Sequence, residues 1–463
     1  MSAETDAQGF RQDGRIVVVG ASLAGLRAAE TLREGGFTGS LTMVGDEPYE
    51  PYDRPPLSKQ VLLGRVPPEG ALPRRRQIDA EWRLGVAATG LDRVAQKVRL
   101  ADGTELPYDR LLITTGVRAR PWIHPEEADL DGVFVLRTRD DSVRLMRKLT
   151  AGTRRVLVIG AGFTGSEIAS GCRERGLEVT VAERGPAPLV GALGGVIGEV
   201  AAELQREHGV DLRCGITVTS LEGDAAGRLR CAHLSDGSVI EVDAAMVSLG
   251  AIRNTGWLAG SGLAAGPRGI ACDAGCRAFD VNGIVTDDIY AAGDVARCPH
   301  PLFGYQFLSL EHWGNAVEQA EIAAHNMICA RTERRPHLWL PMFWSSQFGV
   351  NIKSVGVPSL GDELIIAQGD LAERKFVAVY GHQGRVIAAV SFDGGKWLEF
   401  YRHQIEAAAP FPPDHVTVDQ HAAALKAVDP EFPDPALPSH GPTVTLSGHS
   451  PSERRVGFVP ARA

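Results

Sequence analysis

The chain has no uninterrupted apolar run of about 18 residues, so nothing in it reads as a membrane span. It opens on no charged segment followed by an apolar one, so no signal peptide is expected. Cysteines are few, scattered and odd in number, seven in all, which argues against a disulfide scaffold and suits a reducing cytoplasm. Basic residues are in deficit, 48 Lys plus Arg against 57 Asp plus Glu for a net charge of -9. That balance disfavours nucleic acid and anionic membrane as partners. There is no G-x-S-x-G or H-E-x-x-H motif. The thirteen histidines show no spacing with cysteines or carboxylates suited to a metal, so no metal is expected.

What is present is an ordinary globular balance, 44% apolar and 23% charged, over 463 residues. A chain of that length divides into two or three domains. Arg15–Gly20 reads as a β-branched strand meeting a glycine turn, followed by an Ala/Leu-rich helix from Leu23 and a second strand at Leu41–Gly45. A second such unit starts at Arg154, with a helix to Arg175 and a strand at Glu178–Ala182. Further strands are expected at Arg110–Gly116 and Ile289–Ala292. Strands alternating with helices predict an α/β fold with parallel sheets. From about Pro336 the pattern shifts to shorter alternating strands, Phe376–Tyr380 and Val386–Val390, and one helix near Lys396–Glu406. Residues 1–14 read as a loose leader and residues 410–463 as an irregular, Pro-rich tail.

The second unit carries Gly160-Ala161-Gly162-Phe163-Thr164-Gly165, a G-x-G-x-x-G turn between strand and helix. Gly160 permits the tight turn, Gly162 lets the backbone approach a pyrophosphate, and Gly165 lets helix and strand pack closely. The helix N-terminus offers unpaired N–H groups to the phosphates. Glu183 closes the next strand, where a carboxylate accepts from a ribose 2′-OH. A carboxylate there repels a 2′-phosphate, so NADH is favoured over NADPH, with Arg184 able to soften the preference. The first unit reads Gly20-Ala21-Ser22-Leu23-Ala24-Gly25, with Ser22 where a second glycine is expected. Its hydroxyl must point away from the phosphates or bond them. Asp46, or the adjacent Glu47, takes the ribose role. Two such units in one chain predict an enzyme that holds two dinucleotides.

Asp46-Glu47 is followed by Pro51-Tyr-Asp-Arg-Pro-Pro-Leu-Ser-Lys59, then Thr114-Thr115-Gly116, then Ala292-Gly293-Asp294. In this order, from about Arg15 to Glu406, the motifs resemble the FAD-dependent ferredoxin reductases of oxygenase systems, the putidaredoxin and rhodocoxin reductase type. The resemblance implies a glutathione-reductase-like architecture of two Rossmann-like domains and a third, α+β interface domain. Residues 15–122 and 255–335 would form an FAD domain, split by an NAD domain at 123–254 and followed by the interface domain at 336–409. It implies that Arg54 and Lys59 contact FAD, with Lys59 near the reacting edge of the flavin and Glu167 facing Lys59 and the nicotinamide. Asp294 would bind the ribityl chain, and Arg137 would reach the cofactor. Ala88 and Thr115 would touch the FAD mainly through backbone, and Gly116 and Gly250 would also be cofactor-binding. Glu311-His312-Trp313 and Trp344 would line the isoalloxazine. Trp313 and Trp344 could equally pack in the core or mark the exit toward an electron acceptor.

A disulfide reductase of this architecture needs a redox cysteine pair beside the flavin. The helix from Leu23 has none, and the helix after Gly165 has only Cys172. Cys272 and Cys276 read as small core residues. The redox chemistry therefore belongs to the flavin. The resemblance implies electrons passing from NADH through FAD to a ferredoxin that serves a haem or Rieske oxygenase, in a cytoplasmic monomer or weak homodimer. Two other readings stay open: direct reduction of a small molecule, quinone or oxygen, and a signalling protein that holds FAD and NAD with little turnover. Two departures from the family pattern bear on the acceptor. Ser346 stands where an acid is common, and Ser309 where an arginine often precedes the Glu-His-Trp segment.

Overall fold

The computed structural model describes residues 3–70, 72 and 74–413, together with short strands at 425–426, 443–447 and 455–459. Its first sheet has six strands in the order 277–279, 285–291, 110–113, 15–19, 40–45, 81–84. Arg15–Val19 runs parallel to both Ser40–Gly45 and Arg110–Ile113. Val285–Ala291 adds in parallel on the far side of Arg110–Ile113. One sheet thus collects strands from both halves of the chain. Its inner strands are continuous Val, Ile and Leu runs because they are buried between the helices Leu23–Glu34 and Trp313–Ile328 and a small antiparallel sheet of 88–92, 97–100 and 105–107. Leu23–Glu34 and Trp313–Ile328 pack against each other over it.

The second sheet has five strands in the order 211–214, 178–183, 155–159, 244–247, 133–134, all parallel. The third is antiparallel, ordered 342–347, 350–356, 385–392, 375–382, 363–370, 425–426, with the helix Leu398–Glu406 against it. The core beneath the second sheet runs without a break into the third. Polar contacts fix that seam: the Tyr380 hydroxyl donates to the Leu193 carbonyl at 2.6 Å, and the Phe348 amide to Ser170 Oγ at 2.7 Å.

One expectation at the chain ends changes, and the other falls mostly outside the described residues. The leader is not loose, because Ala3–Asp13 forms a helix. Phe10 packs on Phe37 with ring centroids 5.8 Å apart, and the Arg110 guanidinium lies 3.7 Å from the Phe10 centroid, which anchors the helix to the first sheet. The region assigned to an irregular tail is mostly outside the described residues. Within it, Leu425–Lys426 extends the third sheet, and Thr443–Ser447 pairs with Arg455–Val459.

Candidate active site

Both glycine turns sit where a first strand ends. Gly20 has φ +120 and Gly160 φ +96, which only glycine tolerates readily. A Cβ on Gly20 would lie 2.2 Å from the Thr114 carbonyl oxygen, and one on Gly160 2.6 Å from that of Ser248. Neighbouring strands therefore close on the turns too tightly for a side chain. A Cβ on Gly162 would meet nothing within 4 Å. That open space faces the N-terminus of the helix Phe163–Glu174, where a pyrophosphate fits. Gly25 and Gly165 sit one turn into their helices, packed against the Gly20 and Gly160 carbonyls. Ser22 occupies the N-cap of Leu23–Glu34 but makes no side-chain cap bond; its Oγ instead lies 3.5 Å from Arg54 Nε. The departure from glycine thus adds a hydroxyl to the site.

In front of the first turn is a cavity of about 440 Å³ lined by Gly20, Ser22, Asp46, Glu47, Arg54, Ala88, Thr115 and Arg137. The Glu47 carboxylate accepts from the Arg54 guanidinium and, at 2.6 Å, from the Tyr52 hydroxyl. Arg54, which the resemblance placed on the cofactor, is also bonded through Nη1 to the Arg137 carbonyl at 2.9 Å. Asp46 stands at the end of Ser40–Gly45 on the same cavity. Two further lining residues, Asn254 and Trp257, had no signal in the sequence. Asn254 Nδ2 donates to the Thr115 carbonyl and the Thr115 hydroxyl donates back to the Asn254 carbonyl, both at 2.9 Å.

A second cavity of about 290 Å³ opens beside the first and shares Ser22, Arg54 and Arg137 with it. Lys59, Ala24, Gly116, Asp294, Glu311, His312, Trp313 and Trp344 line it together with Phe163, Thr164 and Glu167 from the second glycine unit. Lys59 Nζ is 2.8 Å from Glu167 Oε2 and 3.3 Å from the Pro55 carbonyl. Ser58 Oγ donates to the same Glu167 oxygen at 2.6 Å, and Ser345 Oγ to Oε1 at 2.6 Å. The Gln347 amide holds Ser345 Oγ at 2.9 Å. Sequence reasoning weighed Ser346, but that side chain faces outward and donates to Asn351 Oδ1; the neighbouring Ser345 is the one that reaches the site.

Arg137 Nη2 pairs with Asp294 Oδ2 at 2.8 Å, so two residues carried over for the cofactor hold one another. Glu311 pairs with Arg253 at 2.9 Å. Ser309 Oγ donates to the Arg268 carbonyl. Burial lowers the His312 pKa to about 4 against a raising influence from Asp294, so the imidazole is neutral at neutral pH. Trp313 opens the helix Trp313–Ile328, whose positive end therefore meets the cavity. Its indole donates to Asp53 Oδ1 at 3.1 Å, and its ring meets Trp344 edge-on with centroids 6.3 Å apart. Trp344 is 46% exposed, so it is not a core residue.

The donor chemistry suits a large polar ligand. Trp257 Nε1, Arg137 Nε and His312 Nδ1 are buried without a hydrogen-bond partner around these cavities. Each such group costs about 1–3 kcal/mol until something pairs with it. On the second unit, Glu183 accepts from the Ala161 and Gly185 amides, both at 2.6 Å, which holds the acid against the glycine turn. Gly250, at φ +82, accepts from the Arg120 amide at 2.9 Å just beyond the strand Ala244–Val247.

Cys272 and Cys276 are fully buried in the core of the first sheet, as small core residues would be. A hairpin brings one ligand atom each from Glu222, Cys231 and His233 within 4.8 Å of the others, a grouping that no linear spacing announced. No helix among the described residues is long and apolar enough to cross a membrane.

Residues 14–320 match the family model described as pyridine nucleotide-disulphide oxidoreductase, and residues 342–428 match that of the reductase C-terminal domain. The ferredoxin–NAD(+) reductase component of an anthranilate 1,2-dioxygenase system from Burkholderia cepacia is 34% identical, over 85% of this chain and 94% of its own. Rhodocoxin reductase of Rhodococcus erythropolis is 36% identical, over 76% of this chain and 80% of its own. The covalent putidaredoxin reductase–putidaredoxin complex superposes with a TM-score of 0.80 at 28% identity, covering 88% of this chain and 96% of that one. The chain belongs to the pyridine nucleotide-disulphide oxidoreductase family, as an FAD-dependent oxidoreductase with a reductase C-terminal domain.

Proposed function

We propose that this protein is an NADH:ferredoxin reductase, with FAD across the two adjoining cavities and the nicotinamide dinucleotide on the Gly160 turn. Bound there, FAD would supply the redox chemistry, a hydride acceptor toward NADH and a single-electron donor toward a ferredoxin. In this reading residues 15–122 and 255–335 hold FAD and residues 123–254 hold NADH.

The observation that carries the proposal is the Lys59–Glu167 pair. It joins the loop beyond the first glycine unit to the helix of the second, where a flavin and a nicotinamide would face each other. Lys59 places a positive charge on the cavity wall, where it offsets negative charge arriving with the hydride. His312 is neutral and Arg137 and Lys59 are each matched by a carboxylate, Asp294 and Glu167, so the net local potential rests on the positive end of Trp313–Ile328 while Lys59 acts through the position of its ammonium. Glu167 and the Pro55 carbonyl hold the ammonium in place. Asp46, at the end of Ser40–Gly45 on the first cavity, or the adjacent Glu47 accepts the adenosine ribose hydroxyls. Glu183 does the same for NADH and disfavours the 2′-phosphate of NADPH. Trp344 forms the exposed end of the route to the acceptor. The ferredoxin in turn serves a haem or Rieske oxygenase, and the protein acts in the cytoplasm as a monomer or weak homodimer.

The test is anaerobic mixing of the purified yellow protein with NADH. Rapid bleaching of the flavin, with NADPH slower, fits the proposal. A flavin that stays oxidised leaves a binding protein rather than an enzyme.

A further inference from the structure

The strands Val218–Gly223, Leu229–Leu234 and Val239–Glu241 form a small antiparallel sheet beside the second parallel sheet. Leu221, Ala232 and Leu234 are buried in the core between them. Side chains alternate along a strand, so Cys231 and His233 share the opposite face. Glu222 lies directly across from Cys231 on one neighbouring strand, and Glu241 on the other. One ligand atom from each of Glu222, Cys231 and His233 falls within 4.8 Å of the other two. His233 Nε2 is 3.0 Å from Glu222 Oε2. Arg230 Nη2 takes the other carboxylate oxygen, Oε1, at 3.1 Å, which orients the group and leaves Oε2 toward the imidazole.

We propose that Glu222, Cys231 and His233 bind one divalent cation of the zinc class, with water completing a tetrahedron. A thiolate, an imidazole and a carboxylate are the ligands Zn²⁺ takes, whereas Mg²⁺ and Ca²⁺ want oxygen alone. Metal–ligand bonds of about 2.0–2.3 Å put neighbouring ligand atoms roughly 3.3–3.7 Å apart in a tetrahedron, inside the 4.8 Å within which all three atoms already lie. A thiolate and a carboxylate offset the two positive charges of the ion, while the Arg230 guanidinium on the outer carboxylate oxygen adds one more, and the thiol proton is released on binding. All three ligands stand on paired strands, so the site needs side-chain rotation and no loop movement. Neither redox cavity includes any of the three, so occupancy braces the sheet and leaves hydride transfer unchanged.

The test uses the full-length, flavin-loaded protein after EDTA treatment. Equilibrium dialysis against Zn²⁺ with elemental analysis gives stoichiometry, and Cd²⁺ titration reads the ultraviolet thiolate–cadmium band. One Zn²⁺ per chain and a clear cadmium band are expected. Cys231→Ser removes the band, and His233→Ala weakens Zn²⁺ by roughly tenfold or more. NADH bleaching is unchanged in both. Glu222→Gln, at an exposed position, gives a second reading of Zn²⁺ affinity should Cys231→Ser lose its flavin and hence its fold. Cys231 is itself buried, as are the other thiols apart from the partly exposed Cys214, so it is the loss of the band in Cys231→Ser that assigns it. No Zn²⁺ bound by the native protein, or binding of equal stoichiometry and strength in Glu222→Gln and His233→Ala, overturns the proposal.

Discussion

Lys59 Nζ and Glu167 Oε2 meet at 2.8 Å although 108 positions separate them, one on a loop of the first sheet and the other on a helix of the second. Glu167 is buried and carries two further hydrogen bonds, from Ser58 and from Ser345 of the third sheet. All three parts of the protein therefore converge on one carboxylate. Glu167→Gln keeps the shape but removes the charge that fixes the ammonium. It should slow NADH-driven flavin bleaching by about tenfold or more while FAD stays bound. Stopped-flow absorbance checks this, and an unchanged rate would reduce the pair to a structural contact.

Ser345 supports the same carboxylate directly, from the third sheet. Ser345→Ala leaves one Glu167 oxygen without its donor, at a cost of about 1–3 kcal/mol in a buried setting. We expect a smaller loss of bleaching rate than for Glu167→Gln, whereas Ser346→Ala, on the outer side of the same strand, should have none. Equal effects from the two serines would contradict the geometry.

Glu183→Ala tests which turn holds which nucleotide. Removing the carboxylate costs the NADH ribose contact and the two amide bonds to the turn. The KM for NADH should rise by roughly tenfold or more, and the preference over NADPH should shrink. FAD content, read from absorbance, should not change. Loss of FAD instead would mean that the two sites are exchanged.

Acid should destabilise the protein through its buried histidines. Burial lowers the pKa of His312 to about 4 and that of His337 to about 3, and it lowers His300 as well. The unfolded value is about 6.5, so between that pH and the folded values the unfolded chain binds more protons. Stability is therefore full above about pH 6.5 and falls as pH drops toward about 4, by about 3 kcal/mol for His312 alone. Thermal unfolding of the flavin-loaded protein at about pH 7 and about pH 5 should show the drop, and His312→Gln should make it shallower. A Tm that is flat over that range in the native protein would disprove the assignment.

What could be read before folding was local. The Gly160 turn and Glu183 are legible because a strand, a turn, a helix and a terminal acid follow one another within one short unit. Lys59 and Glu167 were legible only by resemblance, since no spacing joins them. Asn254, Trp257 and Ser345 gave no signal at all. Asn254 is 139 positions from the Thr115 backbone it braces, and Ser345 is 178 from Glu167. The Glu222, Cys231 and His233 cluster escaped notice because its third ligand comes from across a hairpin, outside any linear metal spacing. The leader read as loose because one aromatic, Phe10, among polar residues gives no periodicity; its partners Phe37 and Arg110 lie elsewhere in the chain.

Trp344 is half-exposed and touches Trp313 at the cavity wall, so it should matter to the second half of the reaction only. Trp344→Ala should leave NADH bleaching intact and lower ferredoxin-dependent turnover several-fold, as loss of an aromatic interface anchor does. Equal loss in both half-reactions would place Trp344 in flavin binding instead.

The central claim is the destination of the electrons. The measurement is the rate of cytochrome c reduction by the purified protein with NADH, as candidate ferredoxins are added at increasing concentration. The account predicts a low rate without ferredoxin and a saturable rise with a suitable one. A rate that is already maximal without ferredoxin, and unmoved by any of them, would contradict it.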